Sequence, residues 1–280
     1  MGAYESLWSA VRQSFKTIAD LFRGRDVLPS DLVLPAIAEQ FARQTTEILR
    51  RANVERFGIR LHGTVDYPSR LRDAKNPVEL LYFQGWWDLL DTKCVAVVGT
   101  REPSENGMRK TSELVRGLVG DGFSIVSGLA AGIDTAAHQS AIDAGGKTIA
   151  VLGTPISRSY PSGNADLQKM IADDHLVVSQ VPVVRYAHQD WRQNRIFFPQ
   201  RNVTMSALSS ATVIVEASDT SGTLMQAKAA IDQNRKLFIL DSCFDDPNLK
   251  WPWHYQGMGA IRVKGYEDVR RHLTDAAAKA

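Results

Sequence analysis

The 280-residue sequence predicts an α/β fold, a parallel sheet covered by helices on both faces. Three observations carry that prediction. Six short runs are apolar without alternation, as strands buried on both faces are: CVAVVG (94–99), FSIVSG (123–128), KTIAVLG (147–153), HLVVSQ (175–180), ATVIVEA (211–217) and KLFILD (236–241). Segments with apolar residues at helical spacing lie between them. Glycine and small hydroxyl residues cluster where the strands end.

The elements follow in order. Leu7, Val11, Phe15, Ile18 and Phe22 predict one amphipathic helix over 4–23. A second is expected from Ser30 to about Ala52, with Ile37, Phe41 and Leu49 inward. The first is basic enough to lie on a membrane, but packing against its neighbour or a second subunit is the favoured expectation. FGIRLHG (57–63) and VELLYFQG (78–85) read as strands around a turn at Asp66-Tyr67-Pro68. Ser104 is placed to cap a helix reaching Val119, with Met108, Val115 and Leu118 inward. Further helices are expected over 132–144, 221–234 and 266–277. The division is a helical segment 1–56 and a Rossmann-like unit 57–280, with lead-in strands 57–90 and a core of about 91–265.

Composition narrows the function. A hydrophobic fraction of 44%, 23% charged residues and a net charge of +2 describe an ordinary globular chain. Any nucleic-acid partner therefore needs a local basic patch. Cys94 and Cys243 form no CxxC or Cys/His cluster, which fits a reducing, cytoplasmic setting and no structural zinc. No apolar run is long enough to span a membrane.

Four loops meet at the carboxyl ends of the strands, where open parallel sheets bind ligands: 99–107, 127–134, 153–164 and 217–223. Their glycines and hydroxyls suit a phosphate-lined pocket. GxxxxGK[ST] and GxGxxG are both missing, and Ser127 stands where a ribose-binding acid would end strand two. No nucleotide or nicotinamide cofactor is expected.

Ser127, Asp134 and His138 fall within twelve residues and invite a triad reading. Asp134 and His138 are four apart on one helix, and Gly-x-Ser-x-Gly is absent. They are read as a structural pair bracing the helix. No third metal ligand accompanies them. In 185–202, Arg185, Arg192, Arg195 and Arg201 face one acid, Asp190, and interleave with Tyr186, Trp191, Phe197 and Phe198. That pairing of cations and aromatic faces suits unpaired bases, while a loop with core aromatics and solvated arginines explains it equally well.

The blocks VAVVGTR (95–101), VSGLAAGIDTAAH (126–138), TIAVLGTPISRSYPSGN (148–164), FFPQRN (197–202) and VIVEASDTSGTLMQAKAA (213–230) resemble the DprA/Smf DNA-processing family, as does YPSRLRDAKNPVELLYFQG (67–85). The resemblance spans roughly 57–240. It implies an extended Rossmann-like fold, a non-enzymatic role, cooperative binding of single-stranded DNA, dimerisation and help in loading the RecA recombinase. By position Arg101 and Arg201 match basic pocket residues; Ser127, Gly128, Asn164, Asn202, Ser221 and Gly222 match its polar rim. Arg158, Arg192, Arg195 and Thr223 complete the expected nucleic-acid-binding set.

The chain departs from the family at Val203, in the aromatic stretch 240–260, in its first 50 residues, and in lacking a C-terminal winged-helix domain. Two rivals share the wider superfamily. One is a phosphoribohydrolase, disfavoured because Gln226 stands where the catalytic acid belongs. The other is a sensor of small nucleotides.

Overall fold

The computed structural model describes residues 1–10 and 12–277. Its strands are β1 (Gly58–Leu61), β2 (Leu80–Gly85), β3 (Cys94–Val98), β4 (Ser124–Ser127), β5 (Thr148–Leu152), β6 (Leu176–Ser179), β7 (Ala211–Ile214), β8 (Lys236–Leu240) and β9 (Ile261–Val263). They form one sheet in the order β1-β2-β6-β5-β4-β3-β7-β8-β9. The lead-in strands β1 and β2 pair antiparallel with each other, and β2 with β6. All other pairs are parallel.

From β3 the chain winds outward on one side to β6, then returns to start β7 on the other side of β3. Loops leaving β3 and β7 therefore diverge and open a crevice, the switch point of a Rossmann-like sheet. Alternate residues of β3 serve opposite cores. Ala96 and Val98 face one cluster, while Val95 and Val97 pack with Leu114, Val115 and Leu118 on the other. Burial on both faces is why these strands read as unbroken apolar runs.

The helices are α1 (Gly2–Ser9), α2 (Phe15–Phe22), α3 (Pro35–Arg51), α4 (Glu105–Gly120), α5 (Ile133–Asp143), α6 (Ala165–Asp174), α7 (Val183–His188), α8 (Trp191–Asn194), α9 (Phe197–Leu208), α10 (Thr223–Asp232), α11 (Trp251–Gly257) and α12 (Tyr266–Ala277). The single helix expected over 4–23 is thus two. Ala10 turns extended, Arg12 takes a left-handed φ of 63°, and Ser14 then caps α2 by accepting from Thr17 N. Val11, expected on the inner face of that helix, lies outside the described residues. The second helix starts at Pro35, where proline suits the first helical position, after a 3-10 turn at Pro29–Asp31.

Three inward assignments also change. Leu49 is fully buried, but Ile37 is 41% exposed and Phe41 only half-buried. Met108 of α4 faces solvent, while Val115 and Leu118 are core. Tyr4, Trp8, Ile18, Phe22 and Leu49 join Leu80, Tyr82, Leu152 and Val177 in one cluster, so the N-terminal helices cover the sheet. Glu5 is buried there, and its carboxylate accepts from the Tyr82 hydroxyl, Val183 N (2.8 Å) and Val184 N (2.9 Å). Among the described residues no helix is long and apolar enough to cross a membrane.

The aromatic stretch after β8 holds α11, which buttresses the loop after β7. Trp251 Nε1 donates to Ala217 O at 3.0 Å, and Tyr255 OH to Leu224 O at 3.0 Å. In return Asp219 accepts from Lys250 N and Trp251 N at 3.1 and 3.0 Å.

Candidate nucleic-acid interface

A cleft of about 400 Å³ opens at the switch point, walled by Thr100 and Arg101 after β3, Phe198 and Arg201 of α9, and Gly222 and Thr223 at the start of α10. Helix starts attract anions because their first amides lack partners. In two of the four expected loops, amides that precede the helix are occupied by the protein's own carboxylates. Glu216 accepts from Ser104 N at 3.2 Å and Ser104 Oγ at 2.9 Å, closing the start of α4. Asp134 accepts from Gly128 N at 3.2 Å and Ala130 N at 3.4 Å, filling the loop after β4.

Among the described residues the start of α10 has no carboxylate on it, and its first amides are satisfied within the turn, Leu224 N by Ser221 O and Met225 N by Gly222 O, both at 3.1 Å. Ser221 Oγ accepts from Thr223 N at 3.1 Å, and Thr223 Oγ1 donates to Gly99 O at 3.1 Å, which fixes the turn against β3. Asn202 Nδ2 holds Gly222 O at 2.9 Å. A Cβ on Gly222 would meet nothing within 4 Å, so this turn faces open space. Arg101 stands across from it, exposed and without an ion pair among the described residues.

Arg201, expected as a pocket cation, borders the cleft but is buried in its floor. Its Nη1 donates to the carbonyls of Gly128 and, at 3.0 Å, Val151, and its Nε to Asn202 Oδ1 at 2.8 Å. Burial pushes its pKa down, and the Asp134 charge opposes that. Burial likewise pushes the Asp134 carboxyl up, held back by Arg201 and the two amides. Gly128 is needed where it is, since a Cβ there would run into the Arg201 guanidinium and lie 2.7 Å from Asp134 Oδ2.

Three further expectations are corrected. Ser127 is fully buried inside the sheet, donating to Val97 O at 2.7 Å, and is not on the rim. Asn164 ties loops together behind the cleft, donating to Leu129 O at 3.0 Å and Thr135 Oγ1 at 2.8 Å. Asp134 and His138 do not act as a pair. His138 Nδ1 lies 2.7 Å from Thr148 Oγ1, which itself donates to Ile125 O. With the threonine proton so committed, His138 carries its proton on Nδ1. Burial takes its pKa down to about 3. Arg158, Arg192 and Arg195 of the expected nucleic-acid-binding set stand apart from this cleft. Arg158 lines a separate groove, and Arg192 and Arg195 flank Trp191 with guanidinium carbons 5.5 and 4.2 Å from its ring centre.

The segment 185–202 divides between the two readings it allowed. Phe197 is fully buried, and Arg185 donates to Gln13 O at 2.8 Å, anchoring the N-terminal helices. Trp191 is 61% exposed, and Phe198 faces the cleft. Gln226 is buried with its amide 3.0 Å from Thr212 Oγ1. Glu216 and Asp219 were not anticipated at all. Their partners lie 112 and 31–32 residues away, beyond any spacing signal.

The sequence model of the family described as DNA recombination-mediator protein A matches residues 59–274. The chain belongs to this family. Its relatives include the Synechocystis protein Smf, 40% identical over 184 residues, which are 64% of this chain and 45% of that protein. The DNA processing protein DprA of Streptococcus pneumoniae is 36% identical over 203 residues, 72% of this chain and 70% of its own. This chain thus spans under half the length of the first relative and about two thirds of the second. The X-ray structure of the Streptococcus pneumoniae protein superposes with a TM-score of 0.68 at 29% identity, covering 96% of this chain and 92% of that one. A Helicobacter pylori DNA processing protein A, studied for its single-stranded DNA binding mode, superposes with a TM-score of 0.66 at 26% identity over 79% and 97% of the two chains. Family membership bears out the resemblance carried by the glycine-rich blocks.

Proposed function

We propose that this DprA/Smf-family protein binds single-stranded DNA by taking backbone phosphates into the switch-point cleft, without catalysing a reaction on them. The observation that carries the reading is an exposed cation on the cleft wall, Arg101, which has no ion pair among the described residues. Glu216 and Asp134 bind amides of their own loops from within, while Arg101 faces the cleft across from the Gly222 turn, which borders open space. The Arg201 charge adds to the same field from the floor. The acid–base groups near the cleft support binding over hydrolysis: Asp134 is spent on amides, His138 faces Thr148, and Gln226 is a neutral amide. The Helicobacter pylori relative, studied with single-stranded DNA, supports the same ligand.

In the cell, the cytoplasmic role that fits this family is support of recombination as a homodimer that helps load a RecA-type recombinase. The test is a fluorescence-anisotropy titration of labelled single strands, duplex and mononucleotides against the full chain. Single strands should bind more tightly than duplex of equal length, and millimolar mononucleotide should compete weakly. Tight mononucleotide binding with no affinity for single strands would instead establish the nucleotide-sensor reading.

A further inference from the structure

Beyond the cleft, an exposed aromatic path crosses the molecular surface toward the N-terminal helices. Phe198 of the cleft wall meets Tyr160 edge-on, with ring centres 5.4 Å apart, and Tyr160 is 51% exposed. Two residues before it, Arg158 forms one side of a second groove of about 390 Å³. Arg51 at the end of α3, Tyr186 of α7 and Trp191 of α8 close the other sides. Trp191 offers its indole to solvent, steadied by the Arg195 guanidinium 4.2 Å from the ring centre.

The charges around this groove favour an anionic polymer. Arg51, Arg158, Arg192 and Arg195 are all exposed. The neighbouring acids are committed within the protein. Asp190 accepts from Gln193 N at 2.8 Å as the cap of α8, and Glu47 is shared by Arg50 and Arg51 at 2.9 and 2.6 Å. One carboxylate between two guanidinium groups leaves that corner positive.

We infer that the groove between α3 and α8 is a second subsite for single-stranded nucleic acid, in which unpaired bases stack on Trp191 while Arg158 and Arg51 meet the phosphates. Exposed aromatic faces among arginines accept any base, because every base has a π-face and each linkage a charge. Phe198 and Tyr160 join this groove to the cleft, so one strand runs through both. This extends the proposed cleft function and rests on it. It also gives α3, which precedes the family-matched residues 59–274, a direct part in binding.

The experiment is a titration of the full chain with dT oligomers of about 4 to about 16 nucleotides, a range that spans short and long strand footprints. Intrinsic tryptophan fluorescence and competition with a labelled strand both report binding. Trp191→Ala should leave affinity for the shortest oligomers unchanged and weaken the longest about tenfold, the loss of roughly one stacked base. Trp191→Phe should restore most of that loss while removing the fluorescence change. Arg158→Ala should show the same length dependence. Unaltered melting temperatures show that the fold persists in each variant. If the wild type binds single strands and all three variants match it at every length, the second subsite is refuted and the cleft reading stands. If the wild type binds no single strand, the cleft reading falls and the subsite with it.

Discussion

Replacing Arg201 with methionine separates a structural cation from a ligand-binding one. The guanidinium is buried, donates to the carbonyls of Gly128 and Val151 and to Asn202 Oδ1, and lies beside the buried Asp134 carboxylate. Methionine retains the packing of the stem and removes all of those donors. Stranding a buried charge costs about 3–5 kcal/mol, against a total stability of about 5–15 kcal/mol for a typical domain. Arg201→Met should therefore lower the urea midpoint by a large fraction of its value at constant slope. Loss of the positive neighbour raises the Asp134 pKa further, so the deficit should shrink as pH falls and the carboxyl takes up a proton. Asp134→Asn/Arg201→Met should be less destabilised than the two single changes summed, because the pair is coupled. A folded Arg201→Met protein with wild-type stability and weakened DNA binding would refute this account and return Arg201 to the role of a ligand.

Other expectations follow from the same geometry. Because burial holds His138 near a pKa of about 3, below the ordinary histidine value of about 6.5, the unfolded chain binds the extra proton between those values. Stability should thus fall as pH drops below about 6.5, by up to ~1.4 kcal/mol per pH unit from this group, and His138→Gln should flatten that dependence in denaturation curves. Gly128→Ala should cost about 1–3 kcal/mol by driving a methyl into the Arg201–Asp134 contact, read as a lower melting temperature. Asp219→Ala should cost about 0.5–2 kcal/mol and speed amide exchange at 217–224 and 250–251, since it releases the strap from α11.

The sheet was legible in the sequence because its central strands are buried on both faces, which leaves no polar alternation to confuse them. Only β9 escaped: three residues, IRV, at the sheet edge carry too little pattern. Local caps were readable where the partners are close in the chain, as with Ser104 and Gly107. The N-terminal break was hidden because Phe15, Ile18 and Phe22 continue the helical spacing across the turn at Ala10 and Arg12. At the site, the loops could be read but not their state of occupation. That depended on Glu216 reaching Ser104 across 112 residues, and on an arginine, ordinarily a surface residue, spending its donors on buried carbonyls. The motif that suggested a catalytic triad dissolved for a similar reason, with Ser127, Asp134 and His138 each holding a different partner.

The salt dependence of single-stranded DNA binding by the wild type and by Arg101→Ala tests the central claim most directly. Arg101 is exposed and unpaired among the described residues, so its loss should move the melting temperature little. A contact to one phosphate contributes about 0.7 to the log–log slope of affinity against salt for a single strand. The variant should bind more weakly at low salt, with a slope flatter by about that amount. An Arg101→Ala protein that binds single strands with wild-type affinity and wild-type slope would contradict the placement of DNA phosphates in the switch-point cleft.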